Sequence, residues 1–258
     1  THAHLNFNSY RRDADEVIRR SLTNNIWLIN VGSQYETSKR AVEIAERYEK
    51  GVYAAIGLHP IHLETGLVKV KNDTEEIEMK TREEYFDKSK YRDLAQSSKK
   101  VVAIGEIGLD YYYRPKTKSK LADFKERQRA VLYEQLELAK EFNLPIIFHC
   151  RMAHDDLIQI FRQSDNQTLR GVIHCFTGTW GQAQQYLEMG FHLGFNGIIF
   201  KMDLSEVIEK TSLDRILIET DCPYLTPPPL SGRNEPINVK YIVEKIAKIK
   251  NKSFEEIV

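Results

Sequence analysis

The chain has 258 residues, of which 37 are Lys or Arg and 37 are Asp or Glu, so its formal net charge is zero. A hydrophobic fraction of 41% at this charge balance excludes a disordered chain, and no stretch approaches the ~20 apolar residues of a membrane span. Zero net charge also argues against a general nucleic-acid coat protein, although it leaves room for a local basic groove. A chain of this length fits one α/β barrel, so we expect a single domain over residues 1–258.

Short apolar runs rich in β-branched residues recur along the chain and are typical of strands buried on both faces of a parallel sheet. The runs that we predict as strands are residues 26–32, 53–57, 101–105, 145–149, 171–174, 192–195 and 216–219. The opening residues 1–5 would be the end of an eighth strand.

Between these runs lie stretches with apolar residues at helical spacing. Helices are predicted at residues 36–50, 121–143, 155–163, 181–189, 204–211 and 239–250. This alternation indicates βα units, and eight of them predict a closed (β/α)₈ TIM barrel. The alternative is a doubly wound open sheet. The sequence has neither a GxGxxG turn after its first strand nor a GxxxxGK[ST] loop, so no nucleotide cofactor is expected.

One segment departs from this rhythm. Residues 64–93 contain 16 charged residues in 30, and residues 67–79 within them alternate in a way that could form a hairpin. We interpret the segment as a solvated surface insertion, with a lid or rim over the active site as the alternative.

Residues with metal-binding side chains follow the apolar runs at one end of the predicted barrel. They are His2, His4, His59, Glu106, His149, His174 and Asp221. Each lies at the carboxyl end of a predicted strand, where barrel active sites form. Residues two apart on a strand share a face, so His2 and His4 can bind one ion. Apart from His59, the four histidines and the two carboxylates would suit two divalent ions bridged by a carboxylate and able to activate water.

The residues next to these predicted ligands allow a further expectation. Cys150, Cys175 and Cys222 each directly follow a predicted ligand, so they should face the helix layer and pack as small apolar residues. Glu219 lies two residues before Asp221 and should point deeper into the barrel, where a buried carboxylate needs a partner. Three widely spaced cysteines and the lack of a visible leader favour a reduced, cytoplasmic protein without membrane association.

The motifs resemble those of the TatD-related metal-dependent deoxyribonucleases, within the wider amidohydrolase-like barrel superfamily. The matching segments are THAHL, GLHP, AIGEIGLDYY, PIIFHCR, GVIHCFTG, ETDCPYLTP and RNEP, in family order over nearly the whole chain. The resemblance implies two divalent ions, Mg²⁺, Zn²⁺ or Mn²⁺. It assigns one ion to His2, His4, Glu106 and Asp221, and the other to Glu106, His149 and His174, with Glu106 bridging.

The resemblance also implies a substrate and a reaction. Family members are described as Mg²⁺-dependent 3′–5′ exonucleases or DNases, so the expected substrate is DNA, at single-stranded ends. His59 would bind phosphate or lie behind the ions. From their residue type and position near the rim, Arg151 and Arg233 are predicted to bind phosphate and the tyrosines at 111–113 to stack on bases, with ordinary loop packing as the alternative for each.

Within this reaction, Asp221 is the predicted general base, because one oxygen can contact an ion and the other a water molecule. Glu106 and His59 are the other predicted catalytic residues, with His59 as the rival base. Two alternative functions remain. One is amidohydrolase-type hydrolysis of a small ester, lactone or amide, and the other is a metal-bound scaffold with little turnover. The expected assembly is a monomer or a weak oligomer.

Overall fold

The structure is a computed structural model that describes residues 1–63, 83–163, 166 and 168–258. Its centre is a parallel sheet whose neighbouring strands follow the order of the sequence. The strands are β1 (Leu28–Val31), β2 (Val52–Ile56), β3 (Val101–Asp110), β4 (Ile146–Arg151), β5 (Gly171–Ile173), β6 (His192–Phe195) and β7 (Ile216–Ile218). Their order and shared direction are those expected of successive right-handed βα units.

Ala3 joins the two edges of this sheet. It pairs in parallel with Asn30 of β1 on one side and with Cys222, just beyond β7, on the other. The Ala3 N–H donates to the carbonyl of Ile29 at 3.1 Å, and the His4 N–H donates to the carbonyl of Cys222 at 2.8 Å. The predicted α/β barrel is therefore confirmed, with a single bridging residue in place of the eighth strand.

The described helices are α1 (Ala14–Thr23), α2 (Tyr35–Ala45), α3 (Lys88–Ser97), α4 (Lys118–Phe142), α5 (His154–Phe161), α6 (Trp180–Glu188), α7 (Ser205–Lys210), α8 (Val239–Lys250) and α9 (Phe254–Ile257). Most are amphipathic and bury one face, as α8 does with Ile242, Val243 and Ile246. None of the helices in the described ranges is long and apolar enough to cross a membrane.

The described part of the predicted insertion belongs to the barrel. Helix α3 buries Tyr91, Leu94 and Ala95 in the main hydrophobic core. Residues 88–93, the last of the predicted insertion, form the start of this amphipathic helix between β2 and β3, and the insertion at about 64–93 stays a prediction. The predicted hairpin at 67–79 lies outside the described residues.

Side chains fill the inside of the barrel. Val31, Ala55, Ala103, Ile147 and Val172 come from β1 to β5 and form a small cluster distinct from the main hydrophobic core. Because side chains fill the interior of the barrel, a ligand can bind only at the ends of the strands.

Candidate metal centre

A cavity of about 1020 Å³ opens at the carboxyl ends of the strands. Six of the seven predicted site histidines and carboxylates line it, namely His4, His59, Glu106, His149, His174 and Asp221. The seventh, His2, is buried beside them and approaches both His4 and Glu106. Because parallel strands end at the same rim, residues far apart in sequence converge there, as predicted.

The Nε2 atoms of His2 and His4 point toward the same place in the site. Their Nε2 atoms are 3.0 Å apart. Burial, helped by the nearby His174, lowers the pKa of His2 to about 4, so this ring is neutral near neutral pH. The Nδ1 of His4 lies 2.8 Å from the Val31 carbonyl, which can only accept a hydrogen bond. The neutral His4 ring therefore has its lone pair on Nε2, as a metal ligand requires.

Glu106 stands between two groups of histidines. Its Oε2 lies 3.4 Å from His2 Nε2 and 3.9 Å from His4 Nε2. Its Oε1 lies 2.8 Å from His149 Nδ1 and 4.0 Å from His174 Nε2. Burial raises the pKa of this carboxyl group, but the surrounding histidines outweigh it and hold the pKa well below its usual range. An ionised carboxylate that faces both groups has the placement of a bridging ligand.

Asp221 faces the same centre from the segment after β7. Its Oδ1 lies 3.4 Å from His4 Nε2, and its Oδ2 lies 3.7 Å from His174 Nε2. The residue adopts a left-handed backbone conformation, with φ of 56°, directly after the chain leaves the sheet. His2, His4 and Asp221 place one ligand atom each within 4.8 Å of one another, which is close enough to hold a cation.

Glu219 supports His174 from below. Its Oε1 lies 2.7 Å from His174 Nδ1 and also accepts the backbone N–H of Cys175 at 2.7 Å. With Nδ1 in ion-pair contact with the carboxylate, Nε2 of His174 faces the cavity; a carboxylate behind the ring positions histidine ligands in many metal sites. Glu219 is 1% exposed, so the expectation of a buried and paired carboxylate is confirmed.

Asp110 has the same relation to His149 and was not predicted as a site residue. Its Oδ2 lies 3.0 Å from His149 Nε2, which leaves His149 Nδ1 facing Glu106. The prediction ended this strand at residue 105, whereas β3 continues to Asp110. Gly108 permits this extension, since its φ is 151° and a side chain there would overlap the His149 carbonyl oxygen. The sequence signal that could have identified Asp110 is its even spacing from Glu106, which places both residues on one face of a strand.

His59 offers a hydrogen-bond donor to the cavity. The Ile61 N–H donates to His59 Nδ1 at 3.0 Å, so the neutral ring carries its proton on Nε2. Burial, reinforced by His149, lowers the pKa of His59 well below its usual value and favours this neutral form. His59 also lies close enough to Asp110 and His149 to share a cation, but ligation through Nε2 would require the other tautomer.

The three cysteines behave differently from one another. Cys150 and Cys222 are buried in the main hydrophobic core, as predicted. Cys175, which borders the cavity as Cys150 does, lies outside that core and within ligand distance of His174 and Asp221, so the prediction that all three face the helices is wrong for this residue. β5 ends before it, and its φ of 45° breaks the alternation on which the prediction depended.

The two predicted phosphate-binding arginines lie in different environments. Arg151 lines the cavity, and its guanidinium carbon lies 3.6 Å from the centre of the Tyr112 ring. Arg233 is paired with Asp13 through contacts of 2.9 and 2.5 Å and lies over the ring of Tyr10. It is not among the described residues that line the cavity. Its role in substrate binding stays a prediction.

This set of donors fits divalent metal ions. Val31 and Glu219 fix the two ring orientations that direct the Nε2 atoms of His4 and His174 at the centre, and two ionised carboxylates face the same space. Nδ1 of His2 has no hydrogen-bond partner among the described residues. Imidazole nitrogens grouped around carboxylates are the usual ligands of zinc and related divalent ions.

Comparison with known proteins agrees with this geometry. The sequence profile of the TatD related DNase family matches residues 1–258. The metal-dependent hydrolase YabD of Bacillus subtilis (strain 168) is 41% identical over 100% of this chain and 92% of its own. The 3′-5′ ssDNA/RNA exonuclease TatD of Pantoea sp. (strain At-9b) is 30% identical over 97% of this chain and 91% of its own. The crystal structure of YJJV, a TatD homologue from Escherichia coli K12, superposes with a TM-score of 0.79 at 28% identity and covers 100% of this chain and 92% of its own. The chain therefore belongs to the TatD-related DNase family of metal-dependent hydrolases.

Proposed function

We propose that this chain is a two-metal phosphodiesterase that removes nucleotides from the 3′ end of single-stranded DNA. The observation that carries the proposal is the position of Glu106, with one oxygen toward His2 and His4 and the other toward His149 and His174. The relatives named 3′-5′ ssDNA/RNA exonucleases support the substrate class.

We assign the ligands as the family resemblance implies, and the distances from Glu106 to the histidines support this assignment. One ion would be held by His2, His4, Glu106 and Asp221, and the other by Glu106, His149 and His174. When bound, such ions lower the pKa of water and stabilise negative charge on phosphate oxygens. Asp110 and Glu219 would orient His149 and His174 through the ring nitrogens that face away from the centre.

Asp221 is the proposed general base. It faces the cavity, and the nearby His174 outweighs burial and lowers its pKa, so the carboxylate is ionised and can receive a proton. The rival, His59, has no free lone pair, because Nδ1 already accepts from Ile61 and Nε2 carries the proton. His59 would instead donate Nε2–H to a phosphate oxygen of the substrate, and Arg151 would supply a planar cation at the cavity wall.

The test is a cleavage assay with metal-loaded protein. Single-stranded DNA labelled at the 5′ end should give a ladder of shortening products, and the same strand labelled at the 3′ end should release labelled mononucleotide at once. Chelator should abolish both signals, and added divalent metal should restore them. Elemental analysis should find up to two ions per chain.

Other outcomes would favour the alternatives. Protein that carries metal and hydrolyses a small ester, lactone or amide but leaves DNA intact would support an amidohydrolase-type enzyme. Bound metal with no turnover of either substrate class would support a scaffold.

A further inference from the structure

A dense basic segment follows β3, at the same end of the barrel as the candidate metal centre. Residues 111–122 contain Arg114, Lys116, Lys118 and Lys120 but no Asp or Glu. All four cations are exposed, and no carboxylate in the described part of the chain forms an ion pair with any of them. In a chain of zero net charge, this is a local concentration of positive charge that the described carboxylates do not neutralise.

Two of these cations line a groove that adjoins the cavity of the metal centre. The groove has a volume of about 580 Å³. Its lining residues are Tyr111, Arg114, Pro115, Lys116, Leu121, Lys125 and Met152, of which Tyr111, Lys125 and Met152 also line the cavity. Lys125 is held by Asp156 at 3.0 Å, so the charge available to a ligand comes from Arg114 and Lys116.

Fold stability does not account for these charges. Lys118 and Lys120 lie in the first turn of α4, where the positive end of the helix dipole disfavours cations, and that turn contains no acidic residue. The N-cap residue, Thr117, makes no side-chain capping hydrogen bond. The segment therefore lacks the charges and the cap that would stabilise a helix start, which suggests selection for an anionic ligand.

We infer that this groove binds the backbone of a single-stranded nucleic acid, with Arg114 and Lys116 contacting phosphates next to the one that is cut. The inference rests on the proposed function, because it takes the substrate of the metal centre to be a polyanionic strand. A strand that leaves the cavity past Tyr111 and Met152 enters the groove directly, since these residues line both. The groove would then give the enzyme a preference for long strands over small phosphodiesters.

The test compares Arg114→Gln/Lys116→Gln with a matched control, Lys50→Gln/Lys99→Gln. Lys50 and Lys99 are exposed and precede β2 and β3, at the opposite end of the barrel, so the control removes the same charge. Binding of fluorescein-labelled single-stranded DNA is measured in chelator over a range of salt concentrations. Each lost phosphate contact should reduce the slope of log affinity against log salt by ~0.7, so the groove variant should lose about 1.4.

Near 0.1 M salt, the groove variant should bind roughly 25-fold more weakly than the parent protein, while the control retains the parent slope. With metal bound, the ratio of kcat/KM on a long strand to kcat/KM on bis(p-nitrophenyl) phosphate should fall for the groove variant only. Equal changes in salt slope and kcat/KM ratio in both variants, or no change in the groove variant, would overturn the inference that the groove binds the strand. Failure of the metal-loaded parent protein to bind or cut any strand would instead reject the proposed function.

Discussion

Two histidines of the candidate metal centre are each held by a carboxylate, but their surroundings differ. The inner pair, Glu219 and His174, lies deep in the barrel, with 0% and 3% of the side chains exposed. The outer pair, Asp110 and His149, lies nearer the cavity mouth, with 5% and 17% exposed. The same kind of carboxylate–histidine contact therefore occurs once in the core and once near solvent.

The partners of the two carboxylates show what this difference means. Glu219 also accepts hydrogen bonds from the Cys175 N–H and the Asn196 side chain, so it joins the segments after β5, β6 and β7. Asp110 accepts one further bond, from the Tyr112 N–H in its own loop. We expect Glu219 to serve the fold as much as the site, and Asp110 to serve mainly the site.

Asp221 sharpens this comparison, because it follows Glu219 by two residues yet faces the cavity. Asp221→Asn keeps the shape and one oxygen but removes the base. We expect it to retain at least one metal ion and to lose roughly 10²–10⁴ in turnover, measured on single-stranded DNA after elemental analysis.

The control is His59→Ala, which removes the predicted hydrogen-bond donor. We expect it to weaken substrate binding while metal content stays at the parent level. Near-normal turnover in Asp221→Asn together with an inactive His59→Ala would transfer the base role to His59.

Glu219→Ala tests whether the inner pair supports the fold. The change leaves His174 in the core without its counter-charge and removes the acceptor of the Cys175 N–H. Breaking a buried ion pair in this way should lower the free energy of unfolding of the metal-free protein by about 3–5 kcal/mol in a denaturant titration. A loss no larger than that of Asp110→Asn would show that the two pairs contribute equally to the fold.

Asp110→Asn tests whether the outer pair serves the site. The variant keeps a polar group near His149 Nε2 but loses the charge that orients the ring. We expect metal affinity to fall roughly 10–100-fold, as measured by competition with a fluorescent chelator, with little change in unfolding free energy. Parent-like metal affinity would mean that Glu106 alone positions His149.

The pH dependence of metal binding gives the smallest expected effect. Burial lowers the pKa of His149, but hydrogen bonds with Asp110 and Glu106 outweigh it and raise the pKa to about 9 in the metal-free protein. This pairing should stabilise the metal-free fold fully below pH 6.5, the ordinary histidine value, and lose its contribution as pH rises through about 9.

Metal must displace the His149 proton, so affinity should increase with pH up to about 9. Calorimetry in buffers of different ionisation enthalpy should detect proton release near neutral pH, and less release in Asp110→Asn. Equal release by both proteins would place the titrating group elsewhere.

The sequence predicted the sheet well because strands buried on both faces consist of short apolar runs that are easy to recognise. β6 has the predicted bounds, β5 and β7 each end one residue earlier than predicted, and β2 is shifted by one residue at both ends. Helices α1, α3 and the short α9 were missed. In α3 the apolar residues Tyr91, Leu94 and Ala95 have helical spacing, but the surrounding charges obscured the pattern.

The site was predicted as far as residue type and strand position allow. Convergence of His2, His4, Glu106 and Asp221 follows from parallel strands that end at one rim. Asp110, the carboxylate behind His149, was missed, because its even spacing from Glu106 is informative only if β3 continues through Gly108, and that continuation depends on close approach to β4. The pairing of Arg233 with Asp13 likewise depends on how distant loops meet, which residue spacing does not record.

The pairing of Ala3 with both edges of the sheet determines when the candidate metal centre forms during folding. The flanking residues, His2 and His4, meet Asp221 only when the first residues of the chain insert between β1 and the segment after β7. A partly folded chain that has not made this long-range contact cannot offer the His2, His4 and Asp221 set to a cation. If metal binds at these residues as proposed, its binding free energy would stabilise the closed barrel alone, and metal occupancy would report completed folding.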